Sequence, residues 1–136
     1  MTGRAVYLDA SAIVKLVIAE AGSVELIDYL RARASSVTSR ISQTEVGRAV
    51  RRQCDDASVS VDAVLATMTI VEVTPDVARS AGRLQPAELR SLDAIHVATV
   101  LLLAGDIDAV VTYDRRLATA AKVAGLPTAS PGIDSL

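Results

Sequence analysis

The chain has 136 residues, 51% of them hydrophobic, one cysteine and a formal charge of −2. That length suits a single core, the charge excludes a global basic field, and the lone Cys54 excludes an intramolecular disulfide or a thiolate metal cluster. No apolar run approaches the ~18–20 residues of a membrane span, and "MTGRAVYLD" lacks an apolar signal segment, so one cytoplasmic domain over residues 1–136 is expected.

In chain order, "RAVYLD" (4–9) predicts a short buried strand, and "SAIVKLVIAE" and "SVELIDYLRAR" predict two helices split at Ala21-Gly22. "SSVTS" (35–39) predicts a second strand, and "ISQTEVGRAVRRQC" (41–54) and "SVDAVLATM" (60–68) predict helices. "TIVEVTP" (69–75) reads as a third strand stopped by its proline, followed by a helix over "DVARSAGRL". Residues 92–104 form a helix that is apolar nearly all round after Asp93, which places it in the interior. "DAVVTYD" (108–114) is a fourth strand, "RRLATAAKVAG" a last helix with Gly125 past its end, and "PTAS" at most a short edge strand. Strands alternating with helices imply right-handed βαβ crossovers, and hence a parallel sheet of four or five strands covered by helices on both faces.

Such sheets bind ligands at the carboxyl ends of their strands, where the strand order reverses. Asp9 closes the first strand and Asp114 the fourth, Asp93 opens the apolar helix, and Glu45 lies one to two turns into the helix after strand two. Each has a local explanation too. Asp9 or Ser11 can cap the first helix, Asp114 can cap the last, Asp93 suits a helix N-terminus, and Ser42 and Glu45 have capping-box spacing. Against these stands the setting: the flanking segments "VYLD", "LDAIHVA" and "VVTYD" are strongly apolar, an uncompensated charge is costly there, and converging carboxylates raise one another's pKa until a cation compensates them.

The stretches "YLDASAIVKL", "TEVGRA", "LRSLDAIHVATV" and "VVTYDRRLATAAKVAGL" together resemble the PIN-domain nucleases, and a small domain of this kind looks most like the VapC-type toxins of bacterial toxin-antitoxin pairs. The resemblance runs from about Val6 to Leu126. It implies a three-layer α/β/α fold and an acidic site that binds Mg²⁺, or Mn²⁺, and cleaves RNA. By motif, Asp9, Glu45, Asp93 and Asp114 match the family's acids, Ser11 its small hydroxyl residue, and Thr112 the Thr/Ser two places before the last acid. Asp9, Asp93 and Asp114 are then the expected metal ligands, and Glu45 orients water or a second ion. The resemblance further implies a VapB-type antitoxin seated near the first two helices, with an antitoxin arginine entering the acidic pocket, and a homodimer.

The residue types fit that chemistry. Phosphodiester hydrolysis needs an activated water and neutralised phosphoryl oxygens, and Mg²⁺ takes oxygen ligands while keeping several waters. Metal-free cleavage through the ribose 2′-OH ordinarily uses two acid/base groups, often histidines. The chain has one, His96, set in the apolar helix and read as a packing residue, so water attack leaving 5′-phosphate and 3′-hydroxyl ends is expected. Twelve arginines against two lysines favour bidentate phosphate contacts, with Arg115 and Arg116 nearest the acids. Tyr7, Tyr29 and Tyr113 are the only aromatics, which leaves little for base stacking. Asp106 and Asp108 read as turn and strand-entry residues.

Other acidic α/β domains fit less well. A phosphoacceptor receiver needs paired acids at the first strand and a late lysine at a strand end, whereas "VYLDAS" offers one acid and Lys122 falls on a helix. A haloacid-dehalogenase-type phosphatase needs Asp-x-Asp, and Ser11 takes the second place. The alternative kept open is a non-catalytic PIN-like module that binds RNA or protein around a structural ion.

Overall fold

The computed structural model describes residues 4–33, 35–54, 58–133 and 136. Five strands, β1 (Ala5–Leu8), β2 (Ser36–Ser39), β3 (Thr69–Val71), β4 (Ile107–Val111) and β5 (Thr128–Ala129), form one sheet in the order β3-β2-β1-β4-β5. Every neighbouring pair is parallel, with Tyr7 opposite Val37 on one side and Val110 on the other. The three-layer arrangement inferred from the alternation is therefore the observed one, and "PTAS" supplies the fifth strand at the edge.

Among the described residues, seven α-helices cover the sheet: α1 (Ala10–Val17), α2 (Ser23–Arg31), α3 (Ile41–Arg51), α4 (Ser58–Leu65), α5 (Pro75–Gly82), α6 (Ser91–Leu102) and α7 (Arg115–Val123). Alternation along β1 decides which layer each residue serves. Val6 and Leu8 pack with Ile13, Leu26, Val46 and Val61 of α1 to α4. Tyr7 packs on the other face with Val100 of α6 and Ala121 of α7. Val6, Tyr7 and Leu8 have no exposed surface, as a central strand between two helical layers requires.

Three boundaries differ from the sequence reading. β3 ends at Val71, and Pro75 is not the terminator of a strand but the first residue of α5, where its missing N–H costs nothing and the Thr74 hydroxyl accepts the Val77 N–H at 3.2 Å. α3 begins at Ile41, so Ser42 lies inside the helix, its Oγ 2.7 Å from Thr38 Oγ1, and no capping box forms with Glu45. α6 is interior only in its middle: Asp93, Ala94 and His96 to Val100 are buried, while Leu92 at 43% and Leu102 at 56% exposure reach the surface.

The topology explains where the acids stand. A helix joining two parallel strands runs antiparallel to them, so α6, which leads through a short 3₁₀ turn (Ala104–Asp106) into the start of β4, has its N-terminus at the sheet's carboxyl edge. α1, α3 and α7 start there too, each directly after a strand. The strand order reverses between β1 and β4, the point beside which parallel sheets of this kind bind their ligands.

Candidate active site

Asp9 follows β1 and is 4% exposed. Its Oδ1 accepts from Ser11 Oγ at 2.7 Å and from the Ala12 N–H at 3.0 Å, and its Oδ2 accepts from Thr112 Oγ1 at 2.6 Å. The N-cap role and the site position thus coincide in one carboxylate. Burial pushes its carboxyl above the ordinary range, and the Ser11 and Thr112 hydrogen bonds, the nearby His96 ring and the Ala12 N–H oppose that shift.

Thr112 ties the two strand-end acids together. Its hydroxyl donates to Asp9 and accepts the Asp114 N–H at 3.0 Å, while Ser11 Oγ accepts the N–H of Tyr113 at 2.8 Å. Asp114 caps α7, with Oδ1 accepting from the N–H groups of Arg116 at 2.9 Å and Leu117 at 3.4 Å. Thr112 is fully buried. Thr112→Val keeps its shape but strips a donor from a buried carboxylate and an acceptor from a backbone N–H, so a loss of about 2–3 kcal/mol is expected in urea unfolding.

Asp93 is 9% exposed in the first turn of α6, where no side-chain hydrogen bond caps the helix. Burial first, then the negative charge of Asp114, push its carboxyl up; Glu45 acts in the same direction, while His96 and Arg116 hold it down. Asp93 thus lies in the electrostatic field of Asp114 and Glu45, brought there from β4 and α3.

Glu45 does not face helix-terminal N–H groups. Its Oε1 is 2.7 Å from His96 Nε2, and the other ring nitrogen, Nδ1, is 2.6 Å from the Tyr7 hydroxyl. His96 is packed at 3% exposure, as the sequence suggests, but both nitrogens are engaged and one holds a candidate site carboxylate. The available signal was its spacing from Asp93, three residues along α6 and therefore on the same helix face. Nothing local signals Tyr7. Burial, then the charges of Asp9 and Glu45, push the Tyr7 hydroxyl well above its ordinary value.

Among the described residues, no three Asp, Glu, His or Cys side chains are grouped as a ready-made ion cage. The hydrogen bonds give the reason: Asp114 Oδ1 is committed to α7, Glu45 to His96 and Asp9 to two hydroxyls. A hydrated divalent cation still fits the donor set. All the candidate ligands are carboxylate oxygens, Asp93 sits among like charges that a cation relieves, and Mg²⁺ binds through one or two carboxylates while keeping several waters.

Arg115 and Arg116 are exposed at the start of α7. With Arg90, which precedes α6, they line a groove of about 520 Å³, and Arg116 is near enough to Asp93 to lower its carboxyl. Asp106 ends the 3₁₀ turn, and Asp108 lies on β4, 3.7 Å from Arg4 in an exposed pair, as a turn residue and a strand-entry residue should.

A doubly wound parallel sheet carrying acids at its switch point defines a class of nucleotide and phosphoester sites, and similarity to known proteins places the chain within it. The family model described as PIN domain matches residues 6–123, and the chain belongs to that family. It is 42% identical over 127 residues to Ribonuclease VapC46 of Mycobacterium tuberculosis, covering 93% of this chain and 98% of the relative. Ribonuclease VapC47 of the same species is 36% identical over 136 residues, covering 93% and 97%. Among solved structures, the fold is similar to that of Mycobacterium tuberculosis VapC20, a sarcin-ricin loop cleaving toxin, at TM-score 0.75 and 19% identity over 93% of this chain and 99% of that one. A toxin-antitoxin complex from Klebsiella pneumoniae contains a chain similar at TM-score 0.69 and 22% identity, covering 93% and 97%.

Proposed function

We propose that the protein is a Mg²⁺-dependent endoribonuclease and the toxin of a type II toxin-antitoxin pair. The observation that carries this reading is Asp93: a carboxylate buried at a strand-edge crevice among the like charges of Asp114 and Glu45, with no side-chain capping bond to explain it. Curated relatives with ribonuclease names, matched over nearly their full length, support the RNA substrate.

Asp9 and Asp93 would hold Mg²⁺ or Mn²⁺ directly, with Asp114 as a further ligand or acting through water. Bound there, the ion supplies positive charge to the phosphoryl oxygens and acidifies a water for attack. Glu45 orients the attacking water, and Ser11 and Thr112 aim Asp9 and favour its ionised form against the effect of burial by donating to it. Arg115 and Arg116 take phosphates of the RNA strand along the groove they share with Arg90. The antitoxin is expected near α2, where Val24 and Ile27 remain exposed although Ile13 and Leu26 are buried, and a homodimer is the expected assembly. Among the described residues no helix is long and apolar enough to cross a membrane; a cytoplasmic setting accords with an RNA substrate.

The test is cleavage of a panel of transfer, ribosomal and messenger RNAs by the purified protein. Products with 5′-phosphate ends in Mg²⁺, none in EDTA, and suppression by the product of a neighbouring antitoxin reading frame are expected. RNA binding should weaken steeply with salt, and replacing Arg115 and Arg116 with Ala should lower the log–log slope by roughly one for each phosphate the two arginines neutralise. Undiminished RNA binding without any cleavage would instead mark a binding module around a structural ion.

A further inference from the structure

We infer, on the nuclease reading above, that His96 is a positioning residue for Glu45, and that the buried chain Tyr7–His96–Glu45 fixes the orientation of the glutamate in the site. The two contacts, 2.6 Å from Tyr7 Oη to Nδ1 and 2.7 Å from Nε2 to Glu45 Oε1, use both nitrogens of the ring. An ionised carboxylate can only accept, so a neutral ring donates to Glu45 from Nε2, and Nδ1 is left to accept the Tyr7 O–H. The ring proton then resides on Nε2 and is donated to the carboxylate, a charge-assisted bond of the stronger kind. Tyr7 thereby holds that tautomer and His96 delivers its effect to Glu45. Glu45 Oε2 is left uncommitted among the described residues.

The chain also joins the elements that carry the acids. Tyr7 is two residues before Asp9 on β1, His96 is three after Asp93 on α6, and Glu45 comes from α3. The edge-to-face packing of the Tyr7 and His96 rings, 5.8 Å between centroids at 73°, locks the imidazole plane. A merely satisfied buried histidine needs neither a carboxylate from another element nor a phenol to choose its tautomer.

Because His96 is the only histidine in the chain, long-range ¹H–¹⁵N spectra of the whole protein report this ring alone. The neutral Nε2–H tautomer is expected, shifting toward a mixture in Tyr7→Phe. In steady-state RNA cleavage, Tyr7→Phe should lower kcat by about ten- to a hundredfold, the range for removing a supporting hydrogen bond, with KM held within about twofold. His96→Gln, which keeps a donor near the Nε2 position, should retain more kcat than His96→Leu. In a Glu45→Gln background, Tyr7→Phe should have no further effect. An Nδ1–H tautomer, a Tyr7→Phe kcat within about twofold of wild type, or additive effects of Tyr7→Phe and Glu45→Gln would overturn the inference. A wild-type protein that cleaves no RNA in Mg²⁺ or Mn²⁺ would overturn the nuclease reading instead, and the histidine spectra of wild type and Tyr7→Phe would still decide whether the chain sets the tautomer.

Discussion

Asp93→Asn is expected to cut RNA cleavage by about 10³-fold or more in kcat while leaving the fold intact. The size follows from what an ion held at this point contributes: several kcal/mol of charge stabilisation in the transition state, at about 1.36 kcal/mol per factor of ten. The intact fold follows from the local structure. Asp93 makes no capping hydrogen bond in α6, so the amide strands no partner, and its surroundings lose a like charge that Asp114 and Glu45 already oppose. Single-turnover cleavage of a labelled RNA, beside circular dichroism of both proteins, checks both halves. A variant that keeps wild-type cleavage would remove Asp93 from the chemistry and with it the proposed function.

The second large effect is a reversal of stability ranking between the same two proteins. In EDTA, Asp93 has a raised carboxyl pKa. The folded state therefore holds that proton more tightly than the unfolded chain, and the stability it contributes is complete below the unfolded value of about 3.9 and lost as pH rises through the folded value. Wild type and Asp93→Asn should then melt together near pH 3, and the variant should melt higher at pH 7. Glu72, held below its ordinary value by the Arg40 hydrogen bond, pulls stability the opposite way but does so in both proteins and cancels. Saturating Mg²⁺ inverts the order. At a hundredfold excess over Kd a ligand adds about 2.7 kcal/mol to the state it binds, which for a chain of this size is on the order of 10 °C in Tm. Wild type should gain that and the variant little. Calorimetry at two pH values, with and without Mg²⁺, measures all the terms, and equal melting at pH 7 in EDTA would show that Asp93 carries no electrostatic cost in the free protein.

The parallel sheet was legible because its signal is repeated: β1 and β4 are short, largely apolar runs, the first four strands are each followed by a helix, and the two periods alternate along the chain. Asp9 and Asp114 could be placed because a carboxylate closing a buried strand in such a sheet has only one edge to occupy. Asp93 was not placed by sequence alone: its helix leads through a short turn toward β4, and only the fold brings its N-terminus to that edge. What failed was local and specific. Pro75 punctuates a strand and starts a helix equally well, and only the Thr74 hydroxyl bond to the Val77 N–H decides between them. The capping-box spacing of Ser42 and Glu45 was silenced by a helix that begins two residues earlier than the motif requires. Leu102 looks like a core residue by type but lies past the end of the covered stretch of α6. Glu45 shows the deeper limit: its partner His96 is 51 positions away, and that partner's own partner, Tyr7, lies 89 positions back from His96. Pairings at that separation are decided by how the layers stack, which no window of sequence contains.

The pairing of β1 with β4, rather than with its successor alone, has a bearing on biosynthesis. The first acid of the crevice is translated about a hundred residues before the strand that completes the crevice beside it. Contacts between such distant segments form late and only cooperatively. A growing polypeptide that has emerged only through α5 carries Asp9 and Glu45 but neither Asp93 nor Asp114. The four acids are thus brought together only after α6 and β4 have emerged, so the proposed site is assembled late in the making of the chain.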